Sequence, residues 1–327
     1  MRCKFTEPVP VTCAFNRRLI RKRQSAMKRV LSFVLLVTSV VSGCVLTSTP
    51  RNISTATPST SQSTDAPYPF VASATSETIT ATHTFLPVVI SQNRRSLPQQ
   101  ARWQIQYTGE ISTDLEVDVF NLDLFDTPSE TIAKLHERGV FVMCYFSAGS
   151  FENWRPDAPL FPNEVLGKDM AGWPGERWLD IRRLELLAPI MQARLDLAVN
   201  KGCDGVDPDN VNAFANDTGF PLTAEDQKRY NVFLAEAAHQ RGLLVGLKND
   251  LEQVPDLVSY FDWIINEECF SYGECELLLP FIWEGKPIFV IEYELEPSAF
   301  CPQALRMNFN ALHKRWELDA YRVDCRE

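Results

Sequence analysis

"LELLAPIMQARLDLAVNKGCDGVDPDN", residues 184–210, holds the repeating unit of the chain. Its first part, 184–202, carries a helical apolar pattern and stops on Gly202. Its last part, "GVDPDN" (205–210), reads as a short buried strand that ends in acids and an amide. Three aspartates, Asp204, Asp207 and Asp209, crowd within six residues. Like charges this close repel, and a buried carboxylate is costly unless paired, so the strand end is expected to have a chemical purpose.

The same alternation continues in both directions. Strand candidates are 103–107, 117–123, 140–147, 205–210, 243–249, 263–268, 287–293 and "LDAYRV" (318–323). Helical patterns at 129–139, 184–202 and 223–242 each end in glycine, and the last opens on a loose capping box from Thr223 to Asp226. Eight strands with intervening helices predict an α/β fold, a (β/α)8 TIM barrel, over residues 99–327. The connection 108–116 is too short for a helix. The connection 148–183, rich in Trp, Pro and Gly, is expected to lie as a loop over the barrel mouth.

Residues 45–98 are rich in Ser, Thr and Pro and read as a disordered tether, although "FLPVVI" (85–90) is an apolar piece without an account. Residues 1–44 are expected to comprise a start-site extension and a lipoprotein-type signal peptide. "MKRVLSFVLLVTSVVSGC" (27–44) has a basic start, a short apolar run and small residues before Cys44. "VSGC" resembles a lipobox, which predicts lipidation of Cys44 and export. An ordinary secretory signal is the alternative. The net charge of −10 is unevenly spread: nine bases and one acid fall in 1–44, leaving 23 bases and 41 acids, or −18, beyond it. That balance argues against nucleic acid and against a membrane contact other than a lipid anchor. It suits a cationic partner or simple solubility.

Of nine cysteines, six lie in the barrel region: Cys144, Cys203, Cys269, Cys275, Cys301 and Cys325. An even set in an exported chain reads as disulfides, with 15 possible pairings. Cys269–Cys275 and Cys301–Cys325 are local, which leaves Cys144–Cys203. Zinc is disfavoured, because there is no C-x-x-C and the four histidines are scattered.

In a barrel of this type the site lies at the C-terminal strand ends. Polar residues concentrate there: Asn121, Asp123 and Asp126; Tyr145 and Ser147; Asp207, Asp209 and Asn210; Lys248, Asn249 and Asp250; Asn266, Glu267 and Glu268; Glu292 and Tyr293. Asp126 and Asp250 fit equally well as helix caps. Two placed carboxylates are what glycoside hydrolysis requires, one to donate a proton and one to attack or to activate water.

The motifs "YFSAGSFENWRPD", "WPGERWLDIR", "GCDGVDPDNV", "VGLKND", "NEECFSYGEC" and "FVIEYE" together resemble glycoside hydrolase family 114, the endo-α-1,4-polygalactosaminidases, over residues 102–325. The resemblance implies a barrel, no metal or other cofactor, and endo-cleavage of α-1,4-linked galactosamine-rich polysaccharide of the kind found in biofilm matrices. It places the catalytic pair at Asp209 and Glu267. It also leads to an expectation of retention, with Asp209 as nucleophile and Glu267 as acid and then base. The chain departs from the family pattern in having Asp207 where Glu is tolerated and Glu268 where Gln is frequent. A chitinase-like reading of "DGVDPDNV" fails because Val211 stands where that motif needs its acidic Glu. A barrel that binds glycan without cutting it is the other alternative. Candidate substrate-binding residues are Trp103, Asp123, Tyr145, Asp207, Asn210, Lys248, Asn249, Asp250, Glu292 and Tyr293. Trp154 and Trp173 are further candidates for stacking on sugar. Asp123, Asp207 and Glu292 are expected to receive substrate ammonium groups, and the chain is expected to act as a monomer.

Overall fold

The computed structural model describes residues 97–327. The signal-type segment, Cys44 and the Ser/Thr/Pro-rich stretch through "FLPVVI" lie outside the described residues.

The barrel opens with β1 (Trp103–Gln106), β2 (Val119–Asp123), helix α1 (Ser129–Glu137) and β3 (Phe141–Ser147). An excursion follows, with β4 (Ser150–Glu152), β5 (Leu166–Asp169) and β6 (Glu176–Leu179). The barrel resumes through α2 (Leu184–Lys201), β7 (Gly205–Asp209), α3 (Ala224–Gln240), β8 (Leu244–Lys248) and the short α4 (Val254–Leu257). It continues with β9 (Trp263–Glu267), α5 (Cys269–Tyr272), α6 (Leu279–Trp283), β10 (Ile288–Glu292), α7 (Pro297–Arg306), β11 (Asn310–His313) and β12 (Val323–Asp324). The sheet order is β1-β2-β3-β7-β8-β9-β10-β11-β12, and every pair through β11 is parallel. The eight parallel strands and their helices form a nearly closed TIM barrel.

Strand alternation sorts the apolar residues. One set faces the helices and joins the large outer core. The other fills the barrel, where Trp103, Ile105, Phe141, Met143, Trp263, Ile265, Phe289 and Ile291 are buried together. Trp263 needs two glycines. A Cβ at Gly246 would lie 2.0 Å from its Nε1, and one at Gly205 would lie 2.6 Å from its Cη2. Any side chain at either position would displace the indole from the barrel floor.

Two expectations need correction. The eighth parallel strand is Asn310–His313, not 318–323. Leu318 adopts φ +46°, and Asp319 Oδ1 accepts the Tyr321 N–H, so this stretch turns instead of extending. Its backbone and side chains bridge the gap between β11 and β1: Leu318 O accepts the Tyr107 N–H, and Arg322 donates to Trp103 O. The connection 148–183 is also more than a loop. Its strands pair antiparallel in the order β4-β6-β5.

The capping box of α3 forms, with Thr223 Oγ1 accepting from Asp226 N and the Asp226 carboxylate accepting from Thr223 N. Three disulfides form, Cys144–Cys203, Cys269–Cys275 and Cys301–Cys325. The first ties β3 to the start of β7, and the last ties α7 to the C-terminal segment.

Candidate active site

Three neighbouring strands, β7, β8 and β9, end on Asp209, Lys248 and Glu267. In each case the next residue is a non-glycine in the left-handed region: Asn210 (φ 62°), Asn249 (φ 53°) and Glu268 (φ 66°). Asp250 (φ 49°) follows suit. Such conformations cost of order 1–3 kcal/mol each and gather where the surrounding structure imposes them. Here they turn the chain sharply away after each charged side chain, so that all three stay at the mouth.

The three charges meet. Lys248 Nζ stands 3.5 Å from Asp209 Oδ1 and 3.8 Å from Glu267 Oε2. The two carboxylate oxygens can therefore be no farther apart than these distances combined. The Lys248 side chain is only 3% exposed, against 19% for Asp209 and 25% for Glu267, so the acids face the opening and the ammonium lies beneath them. Burial disfavours the charged lysine. The combined pull of Asp209, Glu267 and Asp207 outweighs this and holds its pKa above the ordinary value.

Glu267 is fixed on both oxygens. Tyr293 donates its hydroxyl to Oε1 at 2.5 Å, and Asn249 donates Nδ2 to Oε2 at 3.3 Å. Asn249 Oδ1 in turn accepts the Glu267 N–H and the Asn266 amide. Asp209 Oδ1 accepts the Asn210 N–H at 2.7 Å. The Asn210 side chain donates to Ser147 Oγ and Ser150 Oγ.

Asp207 lies one layer deeper and is fully buried. Asn121 donates to its Oδ2 at 2.9 Å, while its Oδ1 has no partner among the described residues. Burial pushes the Asp207 pKa up to about 6; Lys248 opposes the shift and Asp209 adds to it. Beside it, Tyr145 packs on Tyr107 with ring centroids 4.3 Å apart, and Lys248 Nζ lies 5.8 Å from the Tyr145 centroid. The Tyr107 hydroxyl bonds Asn121 Oδ1.

Four sequence candidates stand elsewhere or are already engaged. Trp103 is wholly buried and packs on Phe289 at 4.8 Å. It is the first residue of β1, so strand direction puts it on the floor and not at the mouth. Asp123 is gripped by Arg155 through two bonds, of 2.7 and 3.0 Å, and has no open charge to offer an ammonium group. Glu292 points outward from β10 and accepts the Phe270 N–H and the Ser271 hydroxyl. Asp250 accepts from Asn231 on α3, outside the barrel. Trp154 and Trp173 are both exposed on the excursion.

Sequence reasoning missed the buried ionic group of the excursion, Glu152, Arg155 and Glu176. It also missed Trp316, which stacks on Tyr293 at 4.0 Å with 16° between planes and stands half-exposed at the rim. The three-residue spacing of Glu152 and Arg155 signals an ion pair only on a helix, and here it runs from a strand end into a turn. Nothing local marked Glu176 or Trp316.

A TIM barrel whose mouth carries two convergent, partly exposed carboxylates over a buried cation has the equipment of a glycoside hydrolase. The chain belongs to glycoside-hydrolase family GH114, whose sequence model matches residues 87–327. It is similar to the crystal structure of Ega3 from Aspergillus fumigatus in complex with galactosamine. Sequence identity there is 39% and the TM-score 0.68, over 71% of this chain and 98% of that one. The glycoside hydrolase domain of PelA from Pseudomonas aeruginosa shares the fold, at 16% identity and a TM-score of 0.55, over 68% of this chain and 98% of that one. No curated protein sequence matches the chain.

Proposed function

We propose that this glycoside hydrolase cleaves α-1,4-linked galactosamine-rich polysaccharide internally, with Asp209 as nucleophile and Glu267 as acid and then base. The observation that carries the reading is the convergence of Asp209 and Glu267 on Lys248. Family membership and the galactosamine held by Ega3 support the substrate class.

The resemblance to the family leads to a two-step displacement, with which the shared approach of Asp209 and Glu267 to Lys248 is compatible. Asp209 attacks the anomeric carbon as the glycosidic bond breaks, and Glu267 gives its proton to the leaving oxygen. Water then attacks the glycosyl-enzyme ester, loses its proton to Glu267 and frees Asp209. Asp207, Asp209 and Glu267 surround one lysine. Lys248 offsets the repulsion among them, and Asp207, the buried member, has its pKa pushed up to about 6, first by burial. A free amino sugar has no acetyl oxygen to assist the reaction, so the enzyme supplies its own nucleophile. A chitinase-type mechanism lacks its acid, because Val211 occupies that position and is buried.

Export through the 27–44 segment, a lipid on Cys44 and action as a monomer complete the proposal, and the three disulfides support an oxidising compartment. Reducing-end release from a galactosamine polymer tests the chemistry. Asp209→Asn and Glu267→Gln should each fold and lose activity by orders of magnitude. Near-normal turnover by either variant would remove that residue from its role. Fatty-acid labelling that disappears in Cys44→Ser tests the anchor.

A further inference from the structure

Glu152 and Glu176 face each other directly in the antiparallel register of β4 and β6. Like charges placed opposite in this way are destabilising, and here both are at least nine-tenths buried. Arg155 resolves half of the conflict. Its Nε binds Glu152 at 2.9 Å and its other nitrogens bind Asp123. Glu176 is left without a cation: no Lys, Arg or His among the described residues lies within ion-pair distance. Its one hydrogen bond comes from Ser150 Oγ to Oε2, at 2.9 Å. Burial, opposed by that bond and more weakly by Arg155 at longer range, and reinforced by Glu152 and Asp209, pushes its pKa up to about 7.

This carboxyl belongs to the cleft. Ser150 Oγ is 2.5 Å from Ser147 Oγ, and Asn210, the residue after Asp209, donates to both serines. The Tyr145 hydroxyl, at the mouth, is held above its ordinary pKa by burial and by the charges of Asp209, Glu152 and Glu176. Asp123 and Glu292 are already engaged by protein donors, and Asp207 is fully buried beneath the mouth with the Lys248 charge acting on it, so the task of meeting an amine is left open. Glu176 is placed for it.

We propose that Glu176 is the ammonium-recognition residue of the cleft: it receives the protonated amine of a galactosamine unit next to the bond being cut, and thereby selects deacetylated over N-acetylated sugar. An arriving ammonium supplies the contact counter-charge that Arg155, committed to Glu152 and Asp123, does not. An acetamide is neutral and leaves the buried carboxylate unpaired. The rest of the group prepares the residue. Arg155 holds Glu152 and Asp123 away from competition for the amine, and Ser150 fixes the free oxygen's direction.

The inference rests on the galactosamine reading of the cleft, and the test separates the two. Wild type, Glu176→Gln and Glu176→Asp are assayed on a fully deacetylated galactosamine oligomer, with kcat and KM determined separately. Thermal melts check each fold. Glu176→Gln keeps the Ser150 bond and the shape but removes the charge. KM should rise at least tenfold with kcat changed less than about threefold, and Glu176→Asp should recover a large part of the loss. In mixed-oligomer competition, the preference for deacetylated over partly acetylated chains should fall by a similar factor. Unchanged KM in Glu176→Gln would overturn the proposal. So would a loss confined to kcat, or an equal loss in Gln and Asp variants. Failure of wild type to cut the deacetylated oligomer would instead overturn the functional reading itself.

Discussion

Tyr293 donates its hydroxyl to Glu267 Oε1 at 2.5 Å, and the same ring stacks on Trp316 at 4.0 Å. The rim aromatic and the proposed acid are thus joined through one side chain. Hydrogen bonds to charged groups contribute about 1.5–3 kcal/mol, which corresponds to roughly 10–100-fold in rate. Tyr293→Phe keeps the stack and removes the bond. It should lower kcat by about that factor and shift the pH–kcat profile, with little change in KM. Trp316→Ala should act mainly on KM. Steady-state kinetics across pH distinguishes the two variants.

Lys248→Met should cost both stability and activity. Removing the cation leaves Asp209, Glu267 and Asp207 facing one another without compensation. Breaking a buried ion pair costs about 3–5 kcal/mol, and because two of the acids are partly exposed the lower end, about 3 kcal/mol, is expected. Urea unfolding reads the first effect. The pH–rate profile reads the second, and it should move toward higher pH as the acids gain protons more readily.

Asp207 gives a pH-dependent signature. Its folded pKa of about 6 lies above the ordinary value of 3.8. The folded state therefore holds this proton more tightly than the unfolded chain does. The associated stability is fully present below about pH 4 and is lost as pH rises through 6. Asp207→Asn removes this dependence. The variant should match wild type at pH 4 and exceed it by roughly 3 kcal/mol at pH 8. Glu176 and Asp250 titrate in the same direction, so the variant-minus-wild-type difference is the quantity to measure. A pH-independent difference would contradict the placement of Asp207.

The disulfides should rank by the loops they close. Cys144–Cys203 spans 59 residues and Cys269–Cys275 spans 6. Loop-closure entropy gives about 4 kcal/mol for the first and about 2 for the second. Paired Cys→Ala variants, unfolded in urea without reductant, should keep that order.

The fold was legible where burial wrote long apolar runs. Seven parallel strands fall on stretches such as 140–147 and 287–293, whose interiors are wholly apolar or nearly so. The eighth was misplaced because "NALH" is short and half polar, while 318–323 looks extended until Leu318 turns. Strand ends converge in any barrel of this type, which made Asp209 and Glu267 legible as two of many mouth residues; only the family resemblance singled them out as a pair. What those ends bind was not legible. Arg155 reaches Asp123 across 32 positions, and Glu176 meets Glu152 only through the register of β4 with β6. Trp103 misled because an aromatic in a strand does not say which end of the barrel it occupies. Direction along the strand decides that.

The central claim is that Asp209 forms a covalent bond to the sugar. Reaction with a slow fluorinated α-galactosaminyl donor, followed by peptide mass spectrometry, tests it directly. The account predicts one hexosamine adduct per chain, on Asp209, with none formed by Asp209→Asn. Turnover of the donor without an adduct, or an adduct on Glu267, would contradict it.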